Sequence, residues 1–285
     1  MGVACKVKVI VLAGNGINCE YETAHAAKLG GADHVDTVHI NDLLRQGGVL
    51  DAYQLFCLPG GFLDGDDLGA AKACANRFRH ATLSATGARA SVHASVHFWD
   101  ELMRFIERGG LIFGICNGFQ LMAKLGLVPA LDNRYGDPAV TLTYNDSGRF
   151  EDRWVHLMVN AQTPCVFTKG LERVYLPVRH GEGKVITASP EVSRELAAKG
   201  LACLHYTDAG YRTATMEYPF NPNGSPEGIA GICDETGRLF GLMPHPEGYL
   251  HRTNHPRWTR EALPEEGTGV AFFRNAVEYI RGNIL

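Results

Sequence analysis

The residues best suited to chemistry are Gly114-Ile115-Cys116-Asn117-Gly118. A continuous apolar run at residues 111–115 leads into them, and residues 119–125 follow with helical spacing and almost no loop. Cys116 therefore falls at a strand-to-helix turn, the cysteine form of the Gly-x-Ser-x-Gly nucleophile elbow. The glycines matter because so tight a turn leaves no room for side chains, and the turn lifts the sulfur clear of the sheet. The helix start beneath it favours the thiolate, and its backbone N–H groups are placed to hold an oxyanion. Most cysteines in apolar runs are small buried hydrophobes, a reading that suits Cys57 in LFCLP and Cys233 in IAGICD. The strand–Gly-x-Cys-x-Gly–helix context sets Cys116 apart, and its chemistry is attack on a carbonyl carbon.

A nucleophilic cysteine needs a histidine, and the histidine needs a partner that fixes its tautomer. Two His-x-Glu pairs are candidates, His180-Gly181-Glu182 and His245-Pro246-Glu247. A spacing of two on extended chain puts both side chains on one face. Pro246 favours that geometry, because the residue before a proline avoids the helical region, whereas Gly181 enforces nothing. His245-Pro246-Glu247 also follows an apolar strand at residues 241–243. On these grounds His245 is the better base and Glu247 its orienter, with His180 the competitor. Pro59-Gly60-Gly61-Phe62 ends another strand and can bring a backbone N–H to the sulfur, though Pro-Gly is also an ordinary turn. Gly14-Asn15-Gly16-Ile17-Asn18-Cys19 looks like a dinucleotide loop, but Cys19 stands where the third glycine belongs, so no such cofactor is expected.

The elements that must position these residues alternate in the first third: strands at 7–12, 35–40 and 55–58, helices at 20–29 and 68–78. That alternation predicts a parallel sheet covered by helices. Residues 98–107 have helical spacing, whereas 80–97 are rich in Ala, Ser and Thr without periodicity and read as a surface insert. Later segments, 140–144, 154–159, 174–178 and 213–218, read as strands of an antiparallel appendage. Residues 229–233 and 239–243 flank Asp234-Glu235-Thr236-Gly237 as a hairpin, and 270–280 form a closing amphipathic helix. No internal repeat or long linker divides the 285 residues, so one domain over 1–285 is expected.

Composition narrows the function. Lys+Arg 27 against Asp+Glu 31 gives a net charge of −4, with no electrostatic footprint for nucleic acid. No apolar stretch approaches membrane-spanning length, and Lys6 and Lys8 interrupt the N-terminal apolar run, which argues against a secretory signal. The 8 cysteines include no Cys-x-x-Cys pair, so neither a zinc knuckle nor a dithiol centre nor any other metal site is expected. Reduced thiols in the cytoplasm fit best.

With Cys116, His245 and Glu247 in this order, the sequence resembles the class I (triad) glutamine amidotransferases. Within them it is most similar to the glutaminase subunit or domain of phosphoribosylformylglycinamidine synthase. The segments that carry the resemblance are GNGINCEYE, LPGGFLDGDDLGAAKA, GICNGFQLMAKLGLVPAL, RWVHLMV, LPVRHGEGK, NPNGSPEGIAGICDETGRLFGLMPHPE and GVAFFRNAVEYI, in family order over nearly the whole chain.

The resemblance implies a flavodoxin-like three-layer α/β sandwich, with a mostly parallel central sheet and a small antiparallel appendage. It implies that Cys116 attacks the carboxamide of L-glutamine, His245 shuttles protons and Glu247 orients it. The oxyanion hole would come from the Gly61 and Asn117 backbones, with Gly60, Gln120, His180 and Glu182 on the substrate side. The chain shows no ATP-binding region, so ATP and magnesium are expected on a synthetase partner that receives the ammonia, with an additional small subunit completing some complexes. Three departures stand out: Leu63-Asp64 where the family usually has Ser-Tyr, Gly248 where arginine is common, and the longer segment 80–97. Two rivals remain, a triad cysteine amidohydrolase for another amide and a non-catalytic regulatory subunit. The HGEG and NPNGS segments argue against the first and the intact Cys116, His245 and Glu247 against the second.

Overall fold

A computed structural model describes residues 6–83 and 96–285. The first strand, β1 (Lys8–Ala13, KVIVLA), is β-branched and buried along its middle, the signature of an interior parallel strand. It pairs in parallel with β2 (His34–His39) and β3 (Leu55–Leu58), and helix α1 (Glu20–Leu29) covers the first crossover. A short helix α2 (Ile40–Leu43) follows β2. Helices α3 (Lys72–His80) and α4 (Phe98–Glu107) flank two short strands, β4 (Thr82–Leu83) and β5 (Val96–His97), which pair antiparallel. Most of the expected insert, residues 84–95, lies outside the described residues; the segments on either side of it are joined by that two-stranded ladder.

Next come β6 (Leu111–Ile115), α5 (Asn117–Leu125), β7 (Val140–Thr143), β8 (Glu151–Val159), β9 (Arg173–His180), β10 (Lys184–Thr187), α6 (Pro190–Ala198) and β11 (Ala202–Thr207). The hairpin β12 (Ile229–Cys233) and β13 (Leu239–Leu242) and the closing helix α7 (Gly269–Asn283) complete the chain. The main sheet has the order β2-β1-β3-β6-β13-β12-β11-β8-β9. Its first five strands run parallel and the rest continue it antiparallel, while β10 and β7 form a separate two-stranded antiparallel sheet.

Side chains on β6 show that helices cover both faces. Phe113 stacks on Phe272 and packs edge-on against Phe273 of α7. At the next residue, Gly114, an added Cβ would lie 2.4 Å from Met122 Sδ of α5. Neighbours on a strand point to opposite faces, so α7 and α5 lie on opposite sides of the sheet, giving three layers. β13 repeats the pattern: Phe240 stacks on Phe272, and a Cβ on Gly241 would lie 2.1 Å from Phe119. Among the described residues no helix is long and apolar enough to cross a membrane.

Some elements depart from the expectation. Residues 213–218 form no strand; they contribute a single bridge, Ala214 to Thr207, and β11 occupies the position instead. Lying between β12 and β8, β11 is almost wholly buried, so its residues lack the alternation that marks a half-exposed strand. Strand β10 and helix α6 were not foreseen. Helix α3 begins at Lys72 rather than at residue 68, because Gly69 (φ 91°) and Ala71 (φ 59°) adopt left-handed backbone that a helix cannot continue.

Candidate active site

Three parallel strands end at the same edge of the sheet. In the β3–β6 register Leu58 lies beside Gly114, and in the β13–β6 register Leu242 lies beside Ile115. The residues just beyond those strand ends are Gly60-Gly61, Cys116 and His245, so the topology alone delivers them to one place. Crevices at the carboxyl ends of parallel strands are the usual ligand sites of such sheets.

Cys116 precedes α5 with φ 50° and ψ −104°, a backbone conformation costly for a residue with a side chain. Close approach holds it there: a Cβ on Gly118 would lie 1.9 Å from the Leu58 carbonyl oxygen. The Asn117 side chain ties the helix start to neighbouring turns. Its Oδ1 accepts from Leu63 N–H at 3.1 Å, and its Nδ2 donates to Gln120 Oε1 at 2.9 Å. Gln120 Nε2 in turn donates to the Glu182 carbonyl at 2.6 Å.

The two His-x-Glu pairs separate clearly. His245 Nδ1 lies 2.6 Å from Glu247 Oε1, and both residues are buried. With Glu247 ionised, Nδ1 carries the proton and donates, which leaves Nε2 as the acceptor; Nε2 is buried without a hydrogen-bond partner. Burial opposes a charge on the ring, yet the Glu247 carboxylate and the Cys116 sulfur hold His245 well above its ordinary value. His180 Nδ1 instead meets Asn145 Oδ1 at 3.1 Å, and burial with the nearby His245 charge pushes it down to about 3. Glu182 does not orient His180, since its carboxylate accepts from Ala70 N–H at 3.3 Å.

The route by which His245 meets Glu247 differs from the expected one. His245 is extended (φ −109°, ψ 91°), as a residue before proline should be, but Pro246–Gly248 form a 3-10 turn. The side chains therefore meet across a turn that Pro246 starts with its fixed φ, rather than along a strand face. The His245 N–H donates to the Pro177 carbonyl at 2.8 Å, which anchors the turn to β9.

The loop at residues 14–19, superficially a cofactor loop, braces the Gly60-Gly61 turn. Phe62 N–H donates to Gly16 O at 2.7 Å and Asn18 N–H to Gly60 O at 3.3 Å. A Cβ on Gly16 would lie 2.2 Å from Phe62 O, so the approach requires glycine. This ladder passes through the neighbours of Gly61 and does not use its own N–H, and Gly61 lines the cavity beside Cys116. At Gly60 an added Cβ would lie 2.7 Å from His245 Cε1 and 3.5 Å from both Cys116 Cβ and Cys19 Sγ. Gly60 is thus the floor on which the reactive side chains converge.

A cavity of about 130 Å³ is lined by Cys116, Gly61, Gln120, His180 and Glu182. Arg179, Tyr144, Phe150 and Asp66 also line it, none of them singled out from the sequence, since nothing in their spacing marks them. The Arg179 carbonyl lies 3.6 Å from Cys116 Sγ. Cys19 was missed as well: its Sγ lies 4.0 Å from His245 Nδ1, and both residues line a second cavity of about 170 Å³ that shares Gly61, Phe62, Phe150 and Arg179 with the first. Burial is the main cause that raises its thiol.

The departures from the family pattern have local causes. Leu63 is buried, its Cδ1 placed 2.6 Å from where a Cβ on Gly14 would sit, and Asp64 pairs with Arg77 at 2.8 Å. At Gly248 an added Cβ would lie 2.9 Å from Pro177 Cγ.

A three-layer sheet that presents a cysteine elbow beside a buried histidine–glutamate pair is the arrangement expected of a class I glutamine amidotransferase. Residues 6–280 match the CobB/CobQ-like glutamine amidotransferase domain, and the chain belongs to that family. It is 45% identical over 277 residues to the phosphoribosylformylglycinamidine synthase subunit PurQ of Dehalococcoides mccartyi, covering 97% of this chain and 98% of that one. It is 37% identical over 253 residues to the phosphoribosylformylglycinamidine synthase of Homo sapiens, covering 84% of this chain and 18% of that protein. The solved structure of PurLQS from Thermotoga maritima aligns with TM-score 0.66 at 27% identity, covering 97% of this chain and 100% of that one.

Proposed function

We propose that this chain is the glutaminase subunit of a phosphoribosylformylglycinamidine synthase, acting in the cytoplasm in purine biosynthesis. It hydrolyses L-glutamine to glutamate and ammonia and passes the ammonia to a synthetase subunit, which carries ATP and magnesium. The observation that carries this reading is the 45% identity to a PurQ subunit over 97% of the chain. The PurLQS structure, one chain of which aligns over 97% of this chain, supports a synthetase partner and a further small subunit.

In this reading the Cys116 thiolate attacks the carboxamide carbon, and the carbonyl electron pair moves onto oxygen. The Gly61 and Asn117 N–H groups receive that oxyanion, a contribution worth roughly 100-fold or more per donor. The tetrahedral species collapses as His245 gives its proton to the nitrogen, and ammonia leaves a thioester on Cys116. His245, now neutral, takes a proton from water, and hydroxide attack releases glutamate and the thiolate. Glu247 holds the tautomer that both proton transfers need. Gln120, His180 and Glu182 line the cavity that receives the rest of the glutamine.

The test is Cys116→Ala in the complex reconstituted with its synthetase. Amination driven by glutamine is lost, whereas amination driven by added ammonia persists. Equal loss with both nitrogen sources would make Cys116 a structural residue and return the chain to the non-catalytic alternative.

A further inference from the structure

Three cysteines far apart in sequence, Cys165, Cys203 and Cys233, meet in the core at the antiparallel end of the sheet. Their sulfurs lie within 4.8 Å of one another, and all three side chains are buried. Cys203 and Cys233 come from the adjacent strands β11 and β12, and Cys165 from the residue that opens a 3-10 turn at Val166–Thr168. The cluster has an entry path. A cavity of about 660 Å³, larger than either cavity at Cys116 and His245, is lined by Cys165, Thr163 and Thr168. An oxygen donor stands beside the sulfurs, with Thr163 Oγ1 3.8 Å from Cys233 Sγ.

Apolar packing alone does not call for three sulfurs facing one another. The Cys203 thiol donates to the Leu201 carbonyl at 3.3 Å. Three thiols grouped in this way become a ligand set once they lose their protons, which metal binding drives.

We propose that Cys165, Cys203 and Cys233 form a three-thiolate site for a thiophilic divalent ion, zinc being the physiological one. The Thr163 hydroxyl or a solvent oxygen from the cavity supplies the fourth ligand. Binding involves no oxidation: each thiol gives its proton to solvent and its sulfur lone pair to the ion. A divalent ion leaves the buried site with one net negative charge, whereas cuprous copper would leave two, a heavier desolvation cost. Zinc–sulfur bonds of about 2.3 Å in tetrahedral geometry separate the sulfurs by about 3.8 Å, so inward shifts of about 1 Å or less complete the site.

Such an ion would fasten the Cys165 segment to the sheet close to the β12–β13 hairpin. Val166 N–H already donates to Gly237 O at 2.9 Å, and a Cβ on Gly237 would lie 2.0 Å from Pro164 O. Strand β13 runs from that hairpin to His245, so the ion is a structural clamp on the strand that delivers the base. It stands apart from the glutaminase chemistry.

The experiment titrates the full chain, reduced and freed of metal by a chelator, with cadmium, reading thiolate-to-metal absorption in the ultraviolet. One ion per chain is expected, retained in the Cys19→Ser/Cys116→Ser double variant and bound at least tenfold more weakly by Cys165→Ser and Cys203→Ser. Absence of the band, or its loss in the double variant alone, overturns the proposal. The cadmium-113 resonance of the unsubstituted chain reports the number of sulfur ligands and needs no variant to fold. A three-sulfur shift supports the site, and any shift with fewer sulfurs overturns it.

Discussion

Glu247 Oε1 lies 2.6 Å from His245 Nδ1 in a buried pair, and His245 Nε2 is left without a partner beside Cys116. This polarity, one ring nitrogen committed to the carboxylate and the other free, is what a proton shuttle requires. Glu247→Gln removes the charge while keeping the shape. Glutaminase turnover is expected to fall by roughly 100-fold or more with little change in KM, because the loss is of tautomer control and not of substrate contact. Unchanged turnover would show that Glu247 is not the orienter.

The two histidines near the sulfur should behave oppositely toward a reactive glutamine analogue. His245→Ala is expected to slow covalent labelling of Cys116 by roughly a thousandfold, the scale of losing a triad base, whereas His180→Ala slows it far less. Mass spectrometry of the trapped adduct decides. Normal labelling of the His245 variant together with none of the His180 variant would exchange the two roles.

His180 also shapes stability against pH. Its folded value, pushed down to about 3, lies below its unfolded value near 6.5. Between those limits the unfolded chain binds one proton more, so stability falls as pH is lowered through that window. The slope from this residue is at most about 1.4 kcal/mol per pH unit. His245, held above its ordinary value, has the opposite sign: its contribution is full below the unfolded value and is lost as pH rises through the folded one. Denaturant unfolding of His180→Gln between pH 4 and pH 6.5, taken as roughly the window the linkage defines, is expected to show a flatter loss than the unsubstituted chain. An equal slope would place the titration elsewhere.

The elbow depends on close backbone approach. Gly118→Ala puts a methyl 1.9 Å from Leu58 O and is expected to destabilise by about 1–3 kcal/mol, lowering the thermal midpoint by several degrees. Gly282→Ala, in α7 with nothing within 4 Å of the added Cβ, should be neutral or stabilising by up to about 1 kcal/mol. Calorimetry of both variants checks the contrast, and similar midpoints for the two would refute the packing account.

The oxyanion donor proposed at Gly61 suits a switch, because φ 138° is open to glycine and the turn is a loop rather than part of a strand. The isolated chain is expected to hydrolyse glutamine slowly and to accelerate about 100-fold or more when the synthetase and its substrates bind. Turnover at saturating glutamine, with and without the partner, measures this. Full activity in the lone chain would favour a stand-alone amidohydrolase.

Local chemistry was legible in the sequence wherever one segment held the whole signal. The elbow around Cys116 needs only a strand, two glycines and a helix start, and β3, β6, α1 and α4 appear over the residues their apolar patterns mark. Glu247 meets His245 across a turn that Pro246 begins, and all three residues lie together in sequence. What lay beyond reach depends on segments that meet only in the folded chain. Strand β11 is buried on both faces by neighbours the local pattern does not name, and residues 213–218 alternate without finding a partner ladder. Cys19 comes within 4.0 Å of His245 across 226 positions of sequence, and Arg179 reaches the cavity because β9 ends there. The same holds for Cys165, Cys203 and Cys233, which no spacing rule connects. Side-chain periodicity records which face of an element is buried; strand order and register decide which buried or reactive atoms become neighbours.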